Sequence, residues 1–200
     1  MSASNSSFFK DQILDSILVK QHLLEGECFN QLISMAHSCT EALQRGNKIL
    51  VCGNGGSATD AQHIVGELVS RFYFDRPSLP AIALTANIAI LTAIGNDYGY
   101  ERVFARQVEG LGAKGDILIG ISTSGSSKNV LAAFAAAKEK GITRFGLTGE
   151  RKGPMNDHSE LTLNVPSAST PRIQEAHILI GHLICAYIEE QIYGSYKPQA

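Results

Sequence analysis

The chain changes its hydrophobic rhythm once. From about Phe8 to Arg45, apolar residues recur at helical period in two runs: Ile13, Ile17 and Leu18, then Phe29, Leu32, Ile33 and Ala36, with Gly26 and Gly46 as punctuation. Beyond Gly46 the pattern becomes a series of short apolar runs, KILVCG, PAIALT, DILIGIS, RFGLTG and ELTLNVP. The segments between them predict helices over Thr59 to Phe74, Glu101 to Leu111, Asn129 to Lys140 and Arg172 to Tyr193. The uncharged stretch Ser78 to Asn96 holds Pro80, Asn87 and several Thr, so it reads as a buried strand plus a helix and not as a membrane span. Strands alternating with helices build right-handed βαβ units, and the expected fold is therefore α/β, a parallel sheet covered by helices on both faces. The two leading helices have no evident place in such a sandwich. Their apolar stripes are expected to pack against the same helices of other subunits; the alternative is that they cover a sheet edge of their own chain.

Composition narrows the picture without changing it. Two hundred residues, 44% apolar and 18% charged, fit one domain over 1–200, with helices in 1–46 ahead of an α/β core in 47–194. A net charge of −2 with scattered Lys and Arg offers no basic face, which argues against nucleic-acid and membrane partners; a small anionic ligand must be held locally. Cys28, Cys39, Cys52 and Cys185 form no C-x-x-C pair and read as buried free thiols of a reducing cytosol. The start MSASNSSFFKDQILDS lacks a secretory pattern, so the expected location is cytoplasmic.

Two loops carry ligand chemistry. The first strand ends in Cys52-Gly53-Asn54-Gly55-Gly56-Ser57 and leads straight into a helix, with Ser57 and Asp60 at capping-box spacing. Glycines there admit close backbone approach, and the helix start offers free amides to an anion. Gly53, Gly55 and Ala58 also match a dinucleotide fingerprint, but the acidic ribose partner is missing after Ala81-Ile82-Ala83-Leu84-Thr85. The third strand ends in Ser122-Thr123-Ser124-Gly125-Ser126-Ser127, five hydroxyls and a glycine before a helix. Such a loop is either a solvated turn or an anion cradle, and without a following Gly-Lys-Ser/Thr it suits a phosphomonoester better than a triphosphate.

Candidate proton-transfer and metal-binding groups lie on the helices. His63 and Glu67, four apart, share one face and suit half a metal site, an acid/base pair or a plain hydrogen bond. Arg71, a turn further, is a possible partner of Glu67. On the last helix, Glu175 and His182 lie nearly in line while Gln174 and His182 are about 80° apart, and spacing alone does not choose between them. Asn96-Asp97, beside Gly95 and Gly99, reads either as a turn or as a further contribution to a site.

With these residues in hand, the chain resembles the phosphoheptose isomerases of the sugar isomerase (SIS) family from about Lys48 to Glu190, through CGNGGSATDAQH, GEL, GND, GISTSGSS, LTG and RIQEAH. The resemblance implies a three-layer αβα sandwich with a five-stranded parallel sheet and N-terminal helices bundled in a homotetramer. It implies conversion of sedoheptulose 7-phosphate to D-glycero-D-manno-heptose 7-phosphate. Substrate contacts carried over by position are Asn54, Gly55, Gly56, Glu67, Asn96, Asp97, Ser122, Thr123, Ser124, Ser127 and Gln174. A zinc ion, one per subunit, falls on His63, Glu67, Gln174 and His182, with Glu67 and His182 as the acid/base residues. Ser126 departs from the family loop, which has Asn there. A non-enzymatic group of the same fold binds the DnaA replication initiator, and RPSLPAIALT and LTAI are similar to it too. A regulator has no need of Glu67 and His182, and both are present.

Overall fold

The computed structural model of the chain describes residues 3–197, with side chains from residue 6 onward. Five strands, β1 (Ile49–Gly53), β2 (Ala81–Ala83), β3 (Ile117–Ile121), β4 (Thr143–Thr148) and β5 (Leu161–Asn164), pair in parallel in the order β2-β1-β3-β4-β5. Each strand coincides with one of the short apolar runs, because strands buried on both faces are continuously apolar. Successive residues of β1 supply opposite faces: Ile49 and Val51 enter one core cluster, Leu50 and Cys52 the other.

The first face is covered by α1 (Ala3–His22), α2 (Gly26–Gln44), α3 (Gly56–Val69) and α8 (Thr170–Tyr193). The second carries α4 (Ile88–Tyr98), α5 (Ala105–Leu111), α6 (Lys128–Glu139) and α7 (Pro154–His158). Here the placement of the leading helices needs correction. On α2, Met35, Ala36, Cys39, Ala42 and Leu43 are buried in the chain's own core, so α2 is part of the sandwich, while Phe29 and Ile33 of the expected stripe stay exposed. On α1 the apolar residues Phe8, Phe9, Ile13, Leu14, Ile17 and Leu18 stay exposed, and Val19 joins the core.

Other differences follow from tertiary contacts. The helix expected over Thr59 to Phe74 starts at Gly56, since Gly55 at φ +57° takes the N-cap position; the capping box on Ser57 and Asp60 does not form. It ends at Val69 because Glu189 of α8 binds the next turn. Glu101 to Leu111 splits into a 3₁₀ turn at Tyr100–Arg102 and α5, the chain bending through buried Val103 and Phe104. Asn96 and Asp97 lie in the last turn of α4 and not in a loop: the helix runs through Gly95 and stops at Gly99, whose φ is +87°.

The strand order reverses between β1 and β3, the place where open α/β sheets open a crevice at their carboxyl ends. Gly53 stands opposite Ile121 there. The glycine loop and the serine loop therefore leave the sheet side by side.

Candidate active site

The glycine loop is held by an amide handshake. Asn54 donates to Asn129 Oδ1 at 2.9 Å and Asn129 returns the bond at 2.8 Å, tying the loop after β1 to the first turn of α6. Tyr100 adds its hydroxyl to Asn54 at 3.0 Å. A Cβ on Gly56 would meet the Gln174 amide at 2.6 Å, so any side chain there would push Gln174 aside. Gln174 thus stands against the loop at the start of α3.

In the serine loop, buried Ser122 bonds Ser127 at 2.8 Å and faces Ser124 at 3.4 Å, and Ser124 meets Ser126 at 3.0 Å. Ser127 occupies the N-cap of α6 without capping it; the Val130 N–H is taken by Asn129 Oδ1 at 3.0 Å, so it is the amides ahead of Val130 that face an anion. A cavity of about 420 Å³ opens beside Thr123, Ser124 and Ser126, lined also by Glu150 and Arg151. Hydroxyls, amides and the Arg151 guanidinium suit a phosphate monoester, while the Glu150 carboxylate on the same wall opposes one.

Two turns into α3, His63 Nε2 lies 3.0 Å from Glu67 Oε1 and 3.3 Å from His182 Nε2 on α8. A single imidazole N–H cannot serve both neighbours well. The donor atoms of the three residues lie within 4.8 Å of one another. Tetrahedral zinc, with bonds of about 2.0–2.1 Å, sets its ligand atoms about 3.3 Å apart, so this trio fits a divalent cation with one coordination position left over. Side-chain exposures of 48% for His63 and 25% for Glu67 keep that position within reach of a ligand.

The remaining expected residues sort by place. Gln174 sits eight residues before His182, about 12 Å along the helix, so in this arrangement its amide is at the loop end and not in the trio. Asn96 donates to Asp97 at 2.8 Å, and both face solvent at the end of α4. Asn129 and Tyr100 escaped the sequence reading; the only signal was an Asn two residues past the serine loop. Near the loop, Asp60 has one carboxyl oxygen buried without a partner; burial pushes its pKa up, opposed in part by His63. Burial also raises the thiols, Cys39 and Cys52 to about 12, as in inert buried cysteines, whereas Cys28, expected to be buried too, is only half-buried and donates to the Asn164 carbonyl.

The SIS domain profile matches residues 14–149. A phosphoheptose isomerase 2 from Campylobacter jejuni is 57% identical over 190 residues, 94% of each chain. One from Burkholderia pseudomallei is 52% identical over 191 residues, 96% of this chain and 94% of the relative. Among solved structures, a phosphoheptose isomerase from Francisella tularensis superposes with a TM-score of 0.85 at 37% identity, covering 95% of this chain and 100% of that one. Another from Neisseria gonorrhoeae gives 0.81 at 40%, covering 94% and 97%. With the fold, both loops and full-length relatives in agreement, this chain belongs to the SIS domain family, among its phosphoheptose isomerases.

Proposed function

We propose that the chain interconverts sedoheptulose 7-phosphate and D-glycero-D-manno-heptose 7-phosphate, opening the synthesis of an activated heptose for lipopolysaccharide or another glycan. The observation that carries this reading is the meeting of Glu67 and His182 on one side of the phosphate-type loops: Glu67 touches His63, which touches His182. An aldose–ketose exchange moves one proton between C1 and C2 and another between O1 and O2. In this reading Glu67 carries the carbon-bound proton and His182 the oxygen-bound one. Ser122, Thr123, Ser124, Ser127 and the open amides of α6 hold the phosphate, while Asn54, Gly55, Gly56, Asn96, Asp97 and Gln174 orient the chain of the sugar. His63 lies seven residues, about 10 Å of helix rise, beyond Gly56, which favours an elongated sugar that reaches from loop to trio.

His63, Glu67 and His182 would hold a zinc ion, with Gln174 able to join only by swinging away from Gly56. Such an ion, when bound, polarises the carbonyl and eases charge on its oxygens. We further place the enzyme in the cytoplasm as a homotetramer; the exposed apolar residues of α1, and exposed Val69, Tyr73 and Leu183 close in sequence to Glu67 and His182, support subunit contacts. Among the described residues, no helix is long and apolar enough to cross a membrane. A coupled assay with sedoheptulose 7-phosphate beside shorter ketose phosphates tests the substrate. Preference for the heptose supports the proposal; inactivity with and without zinc transfers it to a non-enzymatic binding role.

A further inference from the structure

Arg76 and Glu189 form an ion pair with side chains 1% and 0% exposed, Nε to Oε1 at 3.1 Å. Burying two charges is costly unless their remaining hydrogen-bonding groups are satisfied. Here they are satisfied by the segment that follows Glu67 and approaches His182 through Phe72. Arg76 donates to the Glu67 carbonyl at 2.8 Å, the Leu68 carbonyl at 2.7 Å, and the Ser70 and Pro77 carbonyls at 3.2 and 3.0 Å. Glu189, two turns past His182 on α8, accepts the backbone N–H groups of Phe72 and Tyr73 at 2.8 and 2.7 Å. The Phe72 ring then lies 5.5 Å from the His182 ring.

We propose that the buried Arg76–Glu189 pair is the positioning element of this active site, fixing the backbone of Glu67 and the ring wall of His182 at one separation. Neither residue reaches the solvent side where a substrate binds. The claim rests on Glu67 and His182 being the proton-transfer pair. A lysine at 76 keeps the charge but loses the planar fork that spans the carbonyls of Glu67 and Leu68. Misplacement by a fraction of a helix turn acts on turnover and leaves the phosphate loops alone.

The test is a double-mutant cycle on the full-length protein, with folding of each variant checked by circular dichroism. Arg76→Lys should lower kcat by about tenfold or more with KM within about twofold, and in a Glu67→Gln background it should cost less than about a further twofold. Phe72→Leu, which leaves the ion pair intact, supplies the second arm, with the same overlap expected against His182→Asn. Losses that multiply in both cycles, or a raised KM at unchanged kcat, overturn the positioning role alone. Near-normal turnover of Glu67→Gln itself overturns the proton-transfer reading and this claim with it.

Discussion

The imidazoles of His63 and His182, carried on α3 and α8, meet at 3.3 Å between their Nε2 atoms, with rings 4.9 Å apart. Two neutral imidazoles at that distance either share one proton or point two lone pairs at a common cation. With Glu67 on the same nitrogen of His63, a cation would answer all three groups at once. Purified protein should therefore carry close to one zinc per subunit after equilibration, and His63→Ala should weaken zinc binding by at least about tenfold, the loss that follows even a disturbed ligand partner. Equal metal content in the two proteins contradicts the assignment.

The serine loop predicts a loss of binding without a loss of fold. Ser124→Ala removes one hydroxyl facing the cavity, worth about 1.5–3 kcal/mol where the acceptor is charged. Calorimetry with the sugar phosphate should show weaker affinity at an unchanged thermal midpoint. Unchanged affinity would move the phosphate elsewhere.

His177 makes stability depend on acid. Burial holds its imidazole down at about 4, opposed in part by a 3.2 Å hydrogen bond to the Thr148 carbonyl, and its Nδ1 has no partner. Between the ordinary value of 6.5 and about 4 the unfolded chain binds a proton that the folded chain refuses. Stability is then complete above 6.5 and falls with pH down to about 4, by something of order 3 kcal/mol. His177→Gln should flatten that slope in thermal melts from pH 7 to 4, whatever its effect at neutrality.

How much of this was legible beforehand follows from where the information lies. Strands buried on both faces announce themselves as apolar runs, and the two ligand loops as glycines and serines at strand ends. The end of α3 was not legible, because the groups that stop it come from Glu189, over a hundred positions away. The Asn54–Asn129 pair bridges 75 positions for the same reason. Asn96 and Asp97 looked like a loop because Gly95 and Gly99 both resemble breakers, and only Gly99 adopts a left-handed φ. The choice between Gln174 and Glu175 stayed open on spacing; Glu175 turns instead to α1, accepting from Ser16 at 2.6 Å.

The exposed α1 residues predict assembly. Six large apolar side chains on one helix form a surface that soluble monomers seldom leave open. Light scattering at micromolar concentration should give four times the chain mass of 21.5 kDa, and Ile13→Asp with Ile17→Asp should shift it to smaller species. A mass near 21.5 kDa for the unmodified protein contradicts the tetramer.

If Glu67 and His182 move the protons, turnover of sedoheptulose 7-phosphate must depend on both. Positioned acid/base groups contribute about 10²- to 10⁴-fold each, so Glu67→Gln and His182→Asn should each lower kcat by at least about a hundredfold, with sugar-phosphate binding retained. The two losses should not multiply, since both groups serve one proton path. Near-normal kcat in both variants would contradict the account.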